Sequence, residues 1–227
     1  RRNLAKLAGP VNRDEWWMTP QTVNALNLPM QNMIVFPAAI LEPTFFDPDA
    51  DAAVNYGAIG GVIGHEVVHG FDDTGALFDA KGNLRNWWTP ADMAQFKTRS
   101  QALAAQYSAY EPLPGLHLNG NQVLGENIAD LAGLASAYDA YHLSLNGQPP
   151  PVIDGFTADQ RFYLGWAQNY RSKFREATLR RNVLSGVHSP GEYRAQTVRN
   201  QDPWYPAFEV KAGQGLYLAP DQRVKIW

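Results

Sequence analysis

One apolar stretch, AAVNYGAIGGVIGHEVVHGF over residues 52–71, constrains the fold of this chain more than any other feature. Its length and apolar character predict a buried helix. Four glycines precede its histidines, and each lowers the intrinsic helix propensity by up to about 1 kcal/mol relative to alanine. Tertiary packing must therefore hold the helix together. Because glycine lacks a Cβ atom, we expect another backbone to approach this helix closely.

The pattern HExxH, formed by His65, Glu66 and His69, lies inside this stretch. Residues i and i+4 of a helix share one face, so the two imidazoles can bind one ion, and zinc accepts such ligands at about 2.0–2.1 Å. Glu66 lies beside that face, where it can take a proton from a metal-bound water. The alternative is that core hydrogen bonds satisfy both histidines and that the glutamate is incidental. Since polar groups in an apolar helix are costly without a partner, the pattern favours a zinc site.

The composition restricts the possible ligands and partners. The chain has no cysteine, which excludes disulfides, thiolate zinc sites and cysteine nucleophiles. Its 227 residues are 45% hydrophobic and 18% charged, which is typical of a globular domain. The net charge of -3 argues against a general affinity for nucleic acid. The first residues lack the apolar segment of a signal peptide, and the sequence leaves a cytoplasmic and a periplasmic or secreted location equally open.

Glu126 is the best-placed third metal ligand. A catalytic zinc needs three protein ligands and keeps its fourth position for water. A metzincin would carry Gly at position 72 and His at position 75, whereas this chain has Asp72 and Gly75. Glu126 and Asp130 are spaced i, i+4, so one can bind metal while the other accepts the ring N–H of a ligand histidine. The alternative is that both are ordinary acids stabilised by the dipole at a helix start.

The rest of the chain predicts three further helices and one short strand pair. Thr89 is a helix N-cap followed by Pro90, and Thr157 begins a capping box. From Ser189 onward the sequence predicts loop with short helical turns. The predicted ranges are 22–28 and 33–36 for the strands, and 89–110, 125–145 and 157–178 for the helices. We therefore expect one domain over residues 1–227 that is mainly α with a small β-sheet, an α+β fold.

Four sequence blocks resemble the neprilysin family of zinc metallopeptidases, which includes endothelin-converting enzyme and the bacterial oligopeptidase PepO. The blocks are Val23-Asn24-Ala25 followed by IVFPAAILEPTFF, then HEVVHGFDDTGALFDAKGNLRNWW, GENIADLAG and VHSPGEYR. The resemblance implies a zincin fold with a thermolysin-like catalytic domain and HExxH on a buried helix. The chain ends without the cysteine of the animal members, which fits a bacterial relative.

The resemblance also assigns roles around the metal. It implies one Zn²⁺ per chain, bound by His65, His69 and Glu126. Glu66 would be the general base that activates a zinc-bound water. Asp130 would orient His65.

Further positions are implied to bind the reacting substrate. His188 would stabilise the oxyanion, Arg194 would bind a substrate carbonyl, and Asn24 and Ala25 would hold the substrate backbone. Each has a simpler interpretation from the residues alone. His188 is a loop histidine, Arg194 an ion-pair partner, and Asn24 a turn residue in those interpretations.

A pocket for the residue after the scissile bond is implied to be apolar, with a lining of Ile40, Phe45 and Val62. Gly61 and the pair Asn169-Tyr170 stand where the family commonly has larger or wholly apolar residues. These departures predict a roomier or more polar pocket, and the family's side-chain preference does not carry over. His117 and His142 lack any such context, and we expect both to be structural or exposed.

The resulting functional hypothesis is a zinc-dependent endopeptidase that hydrolyses oligopeptides. Relatives carry a helical lobe before this region, so the chain is expected to be the C-terminal part of a longer protein. That lobe is an expected partner, in the same protein or as a separate chain. The alternatives are a catalytically silent relative that binds zinc or peptide, and a zinc hydrolase acting on a non-peptide amide.

Overall fold

The apolar stretch around HExxH is helical from residue 52 to residue 68 but is not one uniform helix. In the computed structural model, which describes Leu4 and residues 6–227, helix α1 (Ala52–Asn55) continues through a π-helical turn (Tyr56–Gly60) into helix α2 (Gly61–Val68). The predicted end at residue 71 is therefore too late. The backbone N–H groups of Gly70 and Phe71 donate to carbonyls three residues back, a tighter turn that ends the α-helix.

A two-stranded antiparallel sheet precedes these helices, as predicted. Strand β1 (Leu26–Leu28) pairs with strand β2 (Met33–Val35), and a 3₁₀ turn (Pro29–Gln31) connects them. Both strands are shorter than their predicted ranges. The side-chain amide of Asn27 donates to the backbone oxygen of Glu66 at 2.7 Å, which ties the sheet to α2.

The three helices predicted downstream begin where the sequence places them. Helix α3 (Pro90–Ser108) follows Thr89, whose side chain accepts a hydrogen bond from a backbone N–H of the first turn. Helix α4 (Leu124–Ser144) lies one residue earlier than its predicted range of 125–145. Helix α5 (Ala158–Asn169) starts with a complete capping box at Thr157.

The single helix predicted over residues 157–178 is wrong at its C-terminal end. Helix α5 stops at Asn169, and a separate helix α6 (Glu176–Ser185) follows an irregular stretch. The ring of Tyr170 turns inward against Trp166, with centroids 4.7 Å apart, while residues 171–175 are exposed. A capping box marks only a helix start, and no Gly or Pro marks this stop.

Helix α4 is the central element of the core because it belongs to two apolar clusters. Ile128, in its N-terminal half, packs in one cluster with Leu103 of α3. Leu134, in its C-terminal half, packs in the other with Phe162 of α5. Burying each such side chain contributes about 1.5–3 kcal/mol. Packing on both sides therefore fixes the first turns of α4, which carry Glu126.

Helices α2 and α4 cross with their backbones in direct contact at Gly64 and Gly133. A Cβ atom at Gly64 would lie 2.3 Å from the carbonyl oxygen of Gly133, and one at Gly133 would lie 2.3 Å from the amide nitrogen of His65. Both distances are far below a tolerable contact, so neither position accepts a side chain. The predicted close approach of a second backbone is thus confirmed. It brings HExxH alongside the first turns of α4.

The chain beyond Ser189 is loop with short helical turns, as predicted, including α7 (Gly191–Ala195) and α8 (Trp204–Ala207). Within the described residues, no helix has the length and apolarity needed to cross a membrane. The fold is mainly helical with one small sheet, which confirms the predicted class. Additional 3₁₀ turns lie at Lys6–Ala8, Ala38–Ile40, Gly75–Leu77, Gln196–Asn200 and Pro220–Gln222.

Candidate metal centre and active-site cleft

The three predicted zinc ligands lie together where α2 meets α4. The Nε2 atoms of His65 and His69 are 2.9 Å apart, and Glu126 Oε2 lies 3.2 Å from the first and 3.7 Å from the second. All three ligand atoms fall within 4.8 Å of one another. Ligand atoms around one tetrahedral zinc are roughly 3.3 Å apart, as follows from bond lengths near 2.0 Å. The spacing therefore suits a single ion.

A carboxylate orients each imidazole ring. His65 Nδ1 lies 2.8 Å from Asp130 Oδ1, and His69 Nδ1 lies 2.6 Å from Asp72 Oδ2. With each Nδ1–H donating to a carboxylate, each Nε2 presents its lone pair to the same point. Two lone pairs at this distance repel unless a proton or a metal ion lies between them.

Asp72 is a site residue that the sequence interpretation missed. Its Oδ1 atom accepts hydrogen bonds from the backbone N–H groups of Thr74 and Gly75, at 2.8 and 2.7 Å. Its other oxygen is the one that contacts His69. The turn after α2 thus holds the carboxylate rigidly against the ring. The sequence does place a carboxylate three positions after the second histidine, just beyond the end of the helix, and this spacing could have predicted the contact.

Asp130 is fully buried and is shared between His65 and Arg194. Arg194 donates from Nε to Oδ2 and from Nη2 to Oδ1, both at 2.7 Å. Burial alone would raise the pKa of Asp130, but the Arg194 charge lowers it, so the carboxylate stays ionised. Burial alone would lower the pKa of His65, yet its contacts with Asp130 and Glu126 raise it to about 9. The carboxylates around His65 therefore favour a bound positive charge.

Glu126 carries a buried oxygen that has no hydrogen-bond partner among the described residues. Its Oε2 atom is 3.0 Å from His188 Nε2 and 3.2 Å from His65 Nε2, but neither contact has hydrogen-bond geometry. Burial opposes ionisation, yet His188 and His65 hold the pKa of Glu126 well below its usual range. An ionised, unpartnered oxygen in this position is costly. A divalent cation would satisfy it together with both imidazoles, so the residues fit zinc.

Glu66 is buried in the wall of the cleft that contains these ligands. Burial raises the pKa of its carboxyl group, although His65 and His69 partly oppose the shift. A carboxylate whose pKa lies above its usual value is a better proton acceptor near neutral pH. Its position and environment suit the predicted role of general base.

His188 reaches the metal centre from a loop that helix α4 holds in place. Ser189 Oγ donates to Asn127 Oδ1 at 2.9 Å, and Gln122 Nε2 donates to the backbone oxygen of Gly186 at 2.6 Å. The side chain of His188 is 53% exposed and faces the cleft. Its neighbours thus fix the loop while the imidazole stays accessible to a bound molecule.

One cleft of about 640 Å³ contains the metal centre and every predicted substrate-binding residue. Arg194 lies in its wall with its guanidinium 4.6 Å from the centre of the Tyr170 ring. The structure thus brings all these positions together, while their roles stay predictions. The residues are Asn24, Ala25, Ile40, Phe45, Val62 and Arg194.

The predicted departures in the pocket divide into two groups. Asn169 and Tyr170 line the cleft, as expected of residues that make it more polar. Gly61 packs instead onto Trp166, whose ring would lie 2.8 Å from a Cβ atom there. The expectation that Gly61 enlarges the cleft is therefore wrong, because its position faces the core. His117 and His142 are exposed, as predicted.

Comparisons with known proteins agree with this site. The sequence model of peptidase family M13 matches residues 24–224. Human neprilysin is 39% identical over 233 residues, covering 100% of this chain and 31% of neprilysin. The inhibitor complex of Mycobacterium tuberculosis zinc metalloprotease Zmp1 is 56% identical with a TM-score of 0.97, covering 100% of this chain and 36% of Zmp1. PepO from Lactobacillus rhamnosis is 38% identical with a TM-score of 0.85, covering 96% and 33% respectively.

These matches cover 96% to 100% of this chain but only about a third of each relative's length. The family match includes the helices that carry the histidines and Glu126, and the loop that carries His188. The resemblance predicted from four sequence blocks is confirmed. The chain belongs to peptidase family M13, a family of metallopeptidases.

Proposed function

We propose that residues 1–227 form the catalytic domain of a zinc endopeptidase that hydrolyses oligopeptides. The observation that carries this proposal is the buried Oε2 atom of Glu126, which no described donor hydrogen-bonds and which lies within 3.7 Å of the Nε2 atoms of His65 and His69. Two imidazoles and one carboxylate form a ligand set of catalytic zinc sites, which keep one position for water. Membership of a metallopeptidase family supports the same function.

His65, His69 and Glu126 would hold the ion. When bound, zinc supplies a Lewis acid that polarises the substrate carbonyl and makes water more acidic. Glu66 takes a proton from the attacking water and delivers it to the leaving amine, as its raised pKa and its place in the cleft wall favour. Asp130 does not touch the substrate in this scheme. It holds the His65 ring through the 2.8 Å contact with Nδ1.

His188 donates a hydrogen bond to the oxyanion that develops during attack. Its exposed imidazole, 3.0 Å from Glu126 Oε2, lies beside the ligands without being required to bind the metal. Removing one such donor costs on the order of 3 kcal/mol of transition-state stabilisation. Arg194 is proposed to bind a substrate carbonyl from the same wall.

The substrate backbone is proposed to lie along the chain before β1. Asn24 and Ala25 line the cleft immediately before this strand. An extended peptide can add backbone hydrogen bonds there, as in other complexes where a peptide pairs with a strand edge. Ile40, Phe45 and Val62 supply apolar surface for the side chain after the scissile bond.

The length of the relatives supports a further proposed partner. Because the chain spans about a third of each, we propose that an N-terminal helical lobe of the same protein completes the substrate enclosure. Such a lobe would restrict access to peptides and exclude folded proteins. As a separate chain, it would be an obligate partner.

Hydrolysis of internally quenched peptides by the full-length protein tests the proposal. We expect turnover that a chelator abolishes and stoichiometric zinc restores. Zinc binding and peptide binding without turnover would favour the catalytically silent relative. Turnover of small non-peptide amides with no member of a peptide library cleaved would favour an amide hydrolase of another kind.

A further inference from the structure

A basic segment follows helix α5 and lies outside the metal centre. Residues 171–181, RSKFREATLRR, carry five basic side chains and one acidic side chain, a surplus of four positive charges. All six are exposed, in a chain whose net charge is -3. The one acid, Glu176, pairs with Arg180 at 3.1 Å. The proposed catalytic steps do not use this concentration of charge.

The same segment forms one side of a second cavity, of about 360 Å³. Ser172, Phe174 and Leu179 line that side. Of the described residues in its lining, none carries a carboxylate. Four further lining residues also line the active-site cleft, namely Asn169, Tyr170, His188 and Arg194. The second cavity therefore adjoins the cleft at the residues that flank the metal centre.

We propose that the second cavity and the basic segment bind an acidic stretch of the peptide substrate. This inference rests on the proposed peptidase function and names its substrate class. A peptide that leaves the cleft past His188 enters this cavity, where Phe174 and Leu179 offer apolar contact. Arg171 and Lys173 are exposed and adjoin Ser172, which lines the cavity, so they then pair with its Asp or Glu side chains. Arginine binds carboxylates through two parallel hydrogen bonds, which adds selectivity to the attraction.

We expect the basic segment to act chiefly on the association rate of an acidic peptide, and therefore on KM. Exposed ion pairs each contribute little, and salt screens them over about 10 Å at 0.1 M ionic strength. A surface patch of one charge sign beside a cleft nevertheless raises the local concentration of an oppositely charged ligand. It increases the association rate by about 10- to 10³-fold. We expect the chemical step itself, which depends on Glu66 and His188, to be insensitive to this charge.

Three quenched peptides test the proposal with the zinc-loaded full-length protein. They share the residues around the scissile bond and carry Glu, Gln or Lys at several positions on one side. We expect kcat/KM to fall in that order, with Glu over Gln by about tenfold at low salt, and the difference to shrink as salt rises. The set is then repeated with the variable positions on the other side of the bond. Equal kcat/KM for Glu, Gln and Lys in both sets would overturn the proposal.

Charge-reversal variants locate the effect. Arg171→Glu with Lys173→Glu should lower kcat/KM for the acidic peptide by about tenfold, mainly through KM, and leave the neutral peptide unchanged. The matched control is Lys97→Glu with Lys211→Glu, which makes the same change in net charge at exposed residues whose chain neighbours line neither cavity, whereas Arg171 and Lys173 flank Ser172 in the lining. Equal losses in the two double variants would contradict a local site.

Binding separates this inference from the proposed function. If none of the peptides is cleaved, the peptidase proposal fails, but the same sequences, labelled with the fluorophore and no quencher, can still be titrated against the zinc-loaded Glu66→Gln variant by fluorescence anisotropy. Tighter binding of the acidic peptide, lost with Arg171→Glu and Lys173→Glu, supports the acidic-peptide site. Charge-independent binding refutes it.

Discussion

The Asp72 carboxylate lies 2.6 Å from Nδ1 of His69, so the second histidine of HExxH is oriented by a residue three positions further along the chain. The first histidine depends instead on Asp130, which is 65 positions away on another helix. One orienting contact is therefore made by a local turn and the other only by the packed fold. The two carboxylates should respond differently to the same substitution.

Asp72→Asn should weaken zinc binding by about 10- to 100-fold with little loss of stability. Its Oδ1 can still accept from Thr74 and Gly75, whereas the new amide nitrogen cannot accept from His69. Competition with a calibrated chelator measures the affinity. Asp73→Asn is the matched control, because this neighbouring acid has no hydrogen bond to either imidazole. Unchanged affinity in Asp72→Asn would show that the contact does not orient the ligand.

Asp130→Asn should lose both zinc affinity and stability. The buried guanidinium of Arg194 would keep its position without a counter-charge, which costs about 3–5 kcal/mol when one partner of a buried pair is removed. Denaturant unfolding of the metal-free protein isolates this second effect. A variant as stable as the wild type would mean that the ion pair contributes nothing to the fold.

Glu66→Gln should retain zinc and lose turnover by about 10²- to 10⁴-fold. The substitution preserves size and removes the proton acceptor. Zinc content and peptide hydrolysis are measured on the same preparation. Peptidase activity near the wild-type level, with zinc bound, would contradict the role of Glu66 as general base.

His188→Gln should lower kcat by about 10²- to 10³-fold and leave zinc content unchanged. The loop is held by Ser189 and Gln122, so the substitution should not displace it. Steady-state kinetics separates kcat from KM. A change confined to KM would assign His188 to ground-state binding, and loss of zinc would make it a ligand.

Gly64→Ala should destabilise the protein by at least about 2 kcal/mol, because the added methyl group would lie 2.3 Å from the carbonyl oxygen of Gly133. Separation of α2 from α4 would also move Glu126 away from the histidines, so zinc affinity should fall. Gly215→Ala is the control, since no atom of the described part of the chain lies within 4 Å of a Cβ atom there. Equal stability of the two variants would contradict the close helix crossing.

Much of this site was predictable because its key residues are close together in sequence. The spacing of His65 and His69 depends only on helix geometry, and so does the spacing of Glu126 and Asp130. Helix starts were equally accessible, since Thr89 and Thr157 act on their own first turns. The prediction that backbone contact would occur at the glycines followed from the absence of a side chain.

The missed features depend on contacts that sequence spacing does not reveal. The break after Asn169 lacks a stop signal and follows from the inward turn of Tyr170 onto Trp166. Gly61 was assigned to the pocket because it stands where the family commonly has a larger residue, yet its position faces Trp166 in the core. Asp72 stood three positions after His69, but its role depends on the turn that ends α2.

Zinc analysis of the purified full-length protein tests the central claim most directly. We expect one zinc per chain by mass spectrometry, and loss of that zinc when His65, His69 or Glu126 is replaced by Ala. The Lys97→Glu variant, far from the ligand set in sequence, should keep its zinc. Absence of stoichiometric zinc in the wild type, or full retention in Glu126→Ala, would contradict a metal centre built from these three side chains.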